Sequence, residues 1–100
     1  MLYAIITRDA PGTLQKRLDI RPQHLARLER LQAEGRLLAA GPCPAIDAPA
    51  PGPAGFVGSL IIAEFESQTE ASDWASDDPF MLAGVYADIE IRPFIKALPK

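Results

Sequence analysis

Residues 58–94 read GSLIIAEFESQTEASDWASDDPFMLAGVYADIEIRPF, and their periodicities decide the fold. Gly58 to Glu66 is a short apolar run rich in isoleucine, leucine and phenylalanine, which predicts a strand. Ser67 and Glu70 stand three apart, the capping-box spacing that opens a helix. Ala71, Trp74 and Ala75 follow at helical intervals. Asp77-Asp78-Pro79 interrupts that helix, because a residue ahead of proline is biased out of the α region. Phe80 to Ala83 predict one further turn, closed by Gly84. From Val85 to Phe94, apolar Val85, Ala87, Ile89 and Ile91 alternate with Tyr86, Asp88, Glu90 and Arg92, the period of a strand.

Toward the N-terminus a strand and a helix with periods of their own come first. Leu2 to Thr7 (LYAIIT) predicts a strand that ends at a turn around Asp9-Ala10-Pro11-Gly12. Arg21-Pro22 opens a helix, since proline suits the first helical position. The run QHLARLERLQAE carries it to Gly35, a residue suited to the position after a helix. Leu37 to Gly41 predicts a second short strand. The order is βαββαβ, an α+β, ferredoxin-like arrangement with a four-stranded antiparallel sheet and two helices on one face. Pro42 to Gly55 joins the middle strands and holds five prolines (Pro42, Pro44, Pro49, Pro51 and Pro53). It reads as an extended surface excursion, or as a flap or partner-contacting arm, since long loops in compact domains often carry function.

One hundred residues, 48% apolar and 23% charged, describe a single domain over 1–100 with one core. The net charge of −3 leaves no electrostatic footprint for nucleic acid. No apolar run approaches the roughly 18 residues of a membrane span, and the start of the chain lacks the form of a signal peptide. A single cysteine cannot form a disulfide within the chain, which fits a reducing cytoplasm. One histidine and one cysteine exclude a multi-His or multi-Cys zinc site within the chain, and no phosphate-loop pattern occurs. No metal or cofactor is therefore expected. The first strand is apolar on both faces, with Leu2, Ala4 and Ile6 opposite Tyr3 and Ile5. The third is similar, with Leu60 and Ile62 opposite Ile61, Ala63 and Phe65. Such strands belong to a sheet covered on both sides. Two helices cover one side, and a second copy is the simplest cover for the other, so a homodimer is expected.

His24 is the only histidine. Around a helix axis it lies ~40° from Leu28 and ~20° from Leu31, on the inward stripe, while Glu29, Arg30 and Ala33 point outward. It reads either as a core histidine bonded to a carbonyl or as a general base whose tautomer a carboxylate sets. Asp77 and Asp78 supply candidate carboxylates, although aspartate is common in turns for local reasons. Ser59 is a structural strand residue or a substrate-binding hydroxyl. Among Arg8, Arg17, Arg21, Arg27 and Arg30 a solvated helix face explains most, and some could meet an anionic ligand. Cys43, between two prolines, reads as incidental.

MLYAII, KRLDIRPQHLARLERLQAEGRLLAAGPCPAID, GFVGSLIIAEFES and WASDDPFMLAGVYADIEIRPF together span nearly the whole chain. In this order they resemble the YciI-like family of small bacterial proteins, which adopt a ferredoxin-like fold pairing as a dimeric α/β barrel. The resemblance implies a dyad of a first-helix histidine and an Asp-Pro aspartate, matched here by His24 and Asp78. Related dimeric α/β-barrel proteins include isomerases, small oxygenases and lyases acting on ring compounds, some without metal or organic cofactor. The implied function is a cofactor-independent enzyme of lyase or isomerase type. His24 would move a proton on a small, ring-containing substrate, Asp78 would orient it, and Ser59 or an arginine would hold an oxyanion. A small-molecule binding or interaction module without turnover is the alternative, and a purely structural His24–Asp78 pair is a third reading.

Overall fold

Alternating and helical periodicities resolve into four strands and two principal helices, β1 (Leu2–Asp9), α1 (Leu14–Ala33), β2 (Leu37–Pro44), β3 (Phe56–Glu64), α2 (Gln68–Ser76), the single turn α3 (Pro79–Leu82) and β4 (Tyr86–Phe94). The structure, a computed structural model, describes residues 1–100. The strands form one sheet in the order β2-β3-β1-β4, with every neighbouring pair antiparallel. This is the ferredoxin-like arrangement. Ile5 pairs with Ile61 on β3 and with Ile91 on β4, so apolar residues of three strands line up on one face. Tyr3, Ile5, Ile61 and Ala63 on that face pack with Leu28 and Leu31 of α1 and Ala71 and Ala75 of α2 in the main core. Alternation turns Leu2, Ala4, Ile6, Leu60 and Ile62 to the other face, where no helix lies and Leu60 stays 41% exposed.

α1 begins at Leu14 rather than at Pro22, which lies inside it. Proline in a helix interior costs about 3 kcal/mol through its missing N–H and its ring. Here it is tolerated because Pro22 is on the exposed side while Arg17, His24, Leu28 and Leu31 are buried along the other. Packing of one face outweighs the local penalty. No conventional start signal marks Leu14, since the Thr13 hydroxyl donates to Ala10 O instead of capping the helix.

The Pro-rich excursion is shorter than its sequence suggests. Pro42, Cys43 and Pro44 continue β2, opposite Ser59, Gly58 and Phe56. β2 is an edge strand, where missing proline donors do little harm. A bond from Ala45 N to Gly55 O closes the remainder, and Gly52–Ala54 form a 3-10 turn. β4 also departs from simple alternation. Arg8 pairs with Asp88 but Asp9 pairs with Tyr86, so Ala87 is an extra residue. Such a bulge changes which face the following side chains take. Tyr86 therefore joins Phe80 and Val85 in a second buried cluster instead of sharing the polar side with Asp88.

α2 starts where the capping spacing places it. The Ser67 hydroxyl accepts from Glu70 N at 3.1 Å, a contact that stabilises a helix by about 1 kcal/mol. No helix of the chain is long and apolar enough to cross a membrane.

Candidate active site

The inward stripe of α1 and the turn between α2 and α3 meet at His24 and Asp78. The two Asp78 oxygens have separate tasks. Oδ1 accepts from Phe80 N at 2.8 Å and so caps α3. Oδ2 lies 2.7 Å from His24 Nδ1. An ionised carboxylate can only accept, so Nδ1 carries the proton of this bond. Asp78 is 1% and His24 6% exposed, and the imidazole stacks on Phe80 with ring centroids 4.2 Å apart. The imidazole is thus held by its edge and by its face. Nε2 is left without a protein partner. Asp77, read as the other candidate carboxylate, ends α2 at the surface and takes no part in the pair.

Arg27 stands behind the carboxylate. Its Nη1 is 3.9 Å from Asp78 Oδ2, its Nη2 donates to Trp74 O at 2.8 Å, and its guanidinium lies over the Trp74 ring. Burial pushes the Arg27 pKa below its ordinary value, and Asp78 and then Asp77 work against that shift.

Ser59 occupies the opposite wall. Its N–H donates to the Thr7 hydroxyl at 2.8 Å. Its own hydroxyl accepts from Arg17 Nη2 at 3.0 Å. Arg17 is not on a solvated face: it is 4% exposed, donates from Nε and Nη2 to the two Asp9 oxygens at 2.7 and 2.8 Å, and lies over the Phe80 ring. The sequence carried a signal for it. Arg17 is seven residues before His24, within ~20° on the same helical stripe, but only if the helix begins before Pro22. Arg17 was thus hidden by reading Pro22 as the first turn, and Asp9 by reading it as part of the turn after β1.

A cavity of about 90 Å³ separates the two walls, lined by Arg17, Arg21, His24, Ser59 and Phe80 among others. His24, whose Nε2 makes no hydrogen bond within the chain, is part of that lining. A larger open groove of about 740 Å³ at Met1, Arg36 and Trp74 has no imidazole, thiol or hydroxyl side chain along it. Cys43 does not line the 90 Å³ cavity. No three His, Cys, Asp or Glu side chains converge as metal ligands would.

Behind Ser59, the Tyr86 hydroxyl is buried without a well-formed hydrogen bond. Burial pushes its pKa up to about 12, while the neighbouring Ser59 and Thr7 hydroxyls pull the other way. The unfolded chain ionises this phenol from its ordinary value of 10.0 and the folded chain only near 12. Its contribution to stability is therefore intact below pH 10 and falls by about 1.4 kcal/mol per pH unit across that window. Tyr86→Phe should be close to neutral at pH 8, where it removes an unpaired buried hydroxyl. At pH 11 it should be more stable than the parent by about 1 kcal/mol. Urea unfolding of both proteins at the two pH values measures this, and an unchanged difference would show that Tyr86 is solvated.

These features define a small α+β protein of ferredoxin-like fold, with one buried imidazole–carboxylate pair beside a cavity. Residues 1–95 match the YCII-related domain, and the chain belongs to that family. It is 58% identical over 96 residues to an uncharacterised protein of Haemophilus influenzae, covering 96% of this chain and 98% of the other. It is 55% identical, with the same coverage, to protein YciI of Escherichia coli O6:H1. Among solved structures it resembles TftG of Burkholderia phenoliruptrix, a 5-chloro-2-hydroxyhydroquinone dehydrochlorinase in complex with 2,5-dihydroxybenzoquinone. The TM-score is 0.82 at 33% identity, over 95% of this chain and 94% of that one.

Proposed function

We propose that this chain is a cofactor-independent enzyme of lyase or isomerase type that moves a proton on a small ring-bearing substrate. His24 is its base and Asp78 orients that base. One observation carries the reading: Nδ1 is committed to Asp78, which leaves the Nε2 lone pair to the cavity. The likeness to TftG, which acts on a hydroxylated ring, supports the substrate class.

In the proposed reaction Nε2 takes a proton from a ring hydroxyl or from a carbon beside a carbonyl. The Asp78 carboxylate offsets the charge of the imidazolium, the electrostatic part of triad chemistry. The freed electron pair moves through the ring. In a lyase the imidazolium first returns this proton to the ring carbon that bears the leaving group, making it tetrahedral; removal of a second hydroxyl proton then sends an electron pair through the ring to expel chloride, so that one proton and one chloride are lost in all and no outside oxidant is needed. In an isomerase the imidazolium returns the proton to another atom. The test is chloride release from 5-chloro-2-hydroxyhydroquinone by the parent protein and His24→Gln, with ring-hydrogen exchange in deuterated water as the isomerase arm. No turnover by the parent in either arm, or equal turnover by the variant, would overturn the reading.

The same proposal includes a homodimer, supported by the uncovered apolar face of Leu2, Ile6, Leu60 and Ile62. Sedimentation at micromolar concentration should show one dimeric species, and a folded monomer would remove this part. A reducing, cytoplasmic setting suits the unpaired thiol of Cys43.

A further inference from the structure

An imidazole 2.7 Å from a buried carboxylate has two resting states. Alone, such a pair favours taking up a proton, because imidazolium and carboxylate then neutralise each other. Nε2 would carry that proton and could accept no other. The neutral imidazole, with its Nε2 lone pair, is favoured where the carboxylate has a counter-charge elsewhere. Arg27 stands where that counter-charge is needed. Its Nη1 is 3.9 Å from Asp78 Oδ2, beyond hydrogen-bond length, and is buried with no acceptor at all. A buried donor left without an acceptor is uncommon and calls for a reason. Trp74 holds the guanidinium off: its carbonyl accepts from Nη2 and its ring lies against the guanidinium face. At this distance the positive charge still acts on Oδ2. The bond from His24 Nδ1 has no competitor, as it would if Arg27 bonded Oδ2 directly.

The other charges around His24 are matched or lie in solvent. Arg17 of α1 is paired with Asp9 of β1. Arg21 and Arg30 of α1 and Asp77 at the end of α2 are exposed. β2 and β3 line the cavity with the uncharged Ala40, Gly41, Pro42 and Ser59. β4 brings Tyr86, a neutral phenol whose pKa burial pushes up to about 12. Asp78, Arg27 and a neutral His24 therefore sum to zero, and a protonated ring would leave one unmatched positive charge. We propose that Arg27 is a positioning residue of the buried pair: it balances Asp78 from beyond hydrogen-bond reach, so that His24 rests as the neutral Nδ1–H imidazole and not as imidazolium. Burial already works against the Arg27 guanidinium, and Asp78 is the first of the groups that offset this. The resting charge state needs no substrate. Its use rests on the proposed reaction, in which the base takes a proton and gives it back, and an opposed imidazolium gives it back readily.

His24 is the only histidine, so nitrogen NMR of histidine-labelled protein follows its protonation between about pH 5 and 8. The parent should hold the neutral Nδ1–H ring at pH 7.5. Arg27→Met keeps an apolar stem against Trp74 and removes the charge. Arg27→Gln is also neutral and keeps a donor for the Trp74 carbonyl. Both should bind a proton at the pair at least about threefold more tightly than the parent, the direction that loss of a nearby positive charge dictates. Arg27→Lys keeps the charge and should stay nearer the parent than the neutral variants do. An arginine that only supports Trp74 would not sort the variants by charge. Circular dichroism checks each fold, and Arg27→Gln decides the matter should Arg27→Met fail to fold. Equal proton binding in the parent and the neutral variants, a lysine variant that behaves as they do, or an imidazolium in the parent at pH 7.5 would overturn the proposal. The acid limb of chloride release should move to higher pH in the same order. Charge-sorted protonation without turnover would keep the role of Arg27 and remove the proposed reaction. Turnover with protonation indifferent to Arg27 would do the reverse.

Discussion

His24→Gln should keep its fold and, under the proposed reaction, lose turnover by about a hundred- to ten-thousand-fold, the usual contribution of a positioned general base. The glutamine amide can still donate to Asp78 Oδ2, so the buried carboxylate is not stranded. It offers no basic nitrogen to the cavity. His24→Ala removes the base and the donor together. It should also cost about 3–5 kcal/mol of stability, because a buried charge is left with an empty acceptor. Asp78→Asn tests the orientation. Its amide oxygen can take over the bond from Phe80 N, now made by Oδ1, which turns the amide NH₂ toward His24 Nδ1. The ring must then accept at Nδ1 and carry its proton on Nε2, so the base is lost although every side chain remains in place. Because His24 is the only histidine, nitrogen NMR reads the tautomer without assignment. The parent should show Nδ1–H and Asp78→Asn should show Nε2–H, with turnover falling as in His24→Gln. Full activity in Asp78→Asn with the exchanged tautomer would assign the chemistry to another group.

Both halves of the βαββαβ pattern were legible because each strand and helix carries its own periodicity. His24 was legible because Leu28 and Leu31 share its stripe, and Asp78 because proline follows it. Their contact was not a local fact, since it needs α1 to pack beside α3, 54 residues away along the chain. Asp9 was missed because it was read as part of the turn after β1, which in fact runs on to it, and Arg17 through the reading of Pro22 as a helix start. Local helix rules favour that reading, and only burial of the Arg17–Leu31 stripe overrides it. Tyr86 was misplaced because one extra residue, Ala87, reverses the alternation of β4. A bulge of this kind leaves no composition signal. The site thus combines two residues that announce themselves with others whose placement depends on tertiary packing.

Gly58→Ala should be the most destabilising single-methyl change in the sheet. Regular pairing of β1 with β3 runs from Leu2–Glu64 to Ile6–Leu60. Beyond it the Thr7 hydroxyl takes the Ser59 N–H, and the β3 backbone passes directly over β1. A Cβ on Gly58 would stand 1.8 Å from Thr7 O and 2.7 Å from Thr7 C. Both are backbone atoms and cannot rotate away. Relief requires the end of β1 to move, and that end carries Asp9, the anchor of Arg17. The expected loss exceeds about 4 kcal/mol, the range of exceptional single substitutions, against a total of about 5–15 kcal/mol for a typical domain. Gly41→Ala is the matched control. Gly41 lies on β2 opposite Leu60, and an added Cβ there meets nothing within 4 Å. Its urea midpoint should stay near that of the parent, while Gly58→Ala should be largely unfolded or shifted to a far lower midpoint. Equal midpoints for the two variants would mean that β1 and β3 can separate at Thr7 without cost. Ser59 and Arg17 would then not be held rigidly beside the cavity.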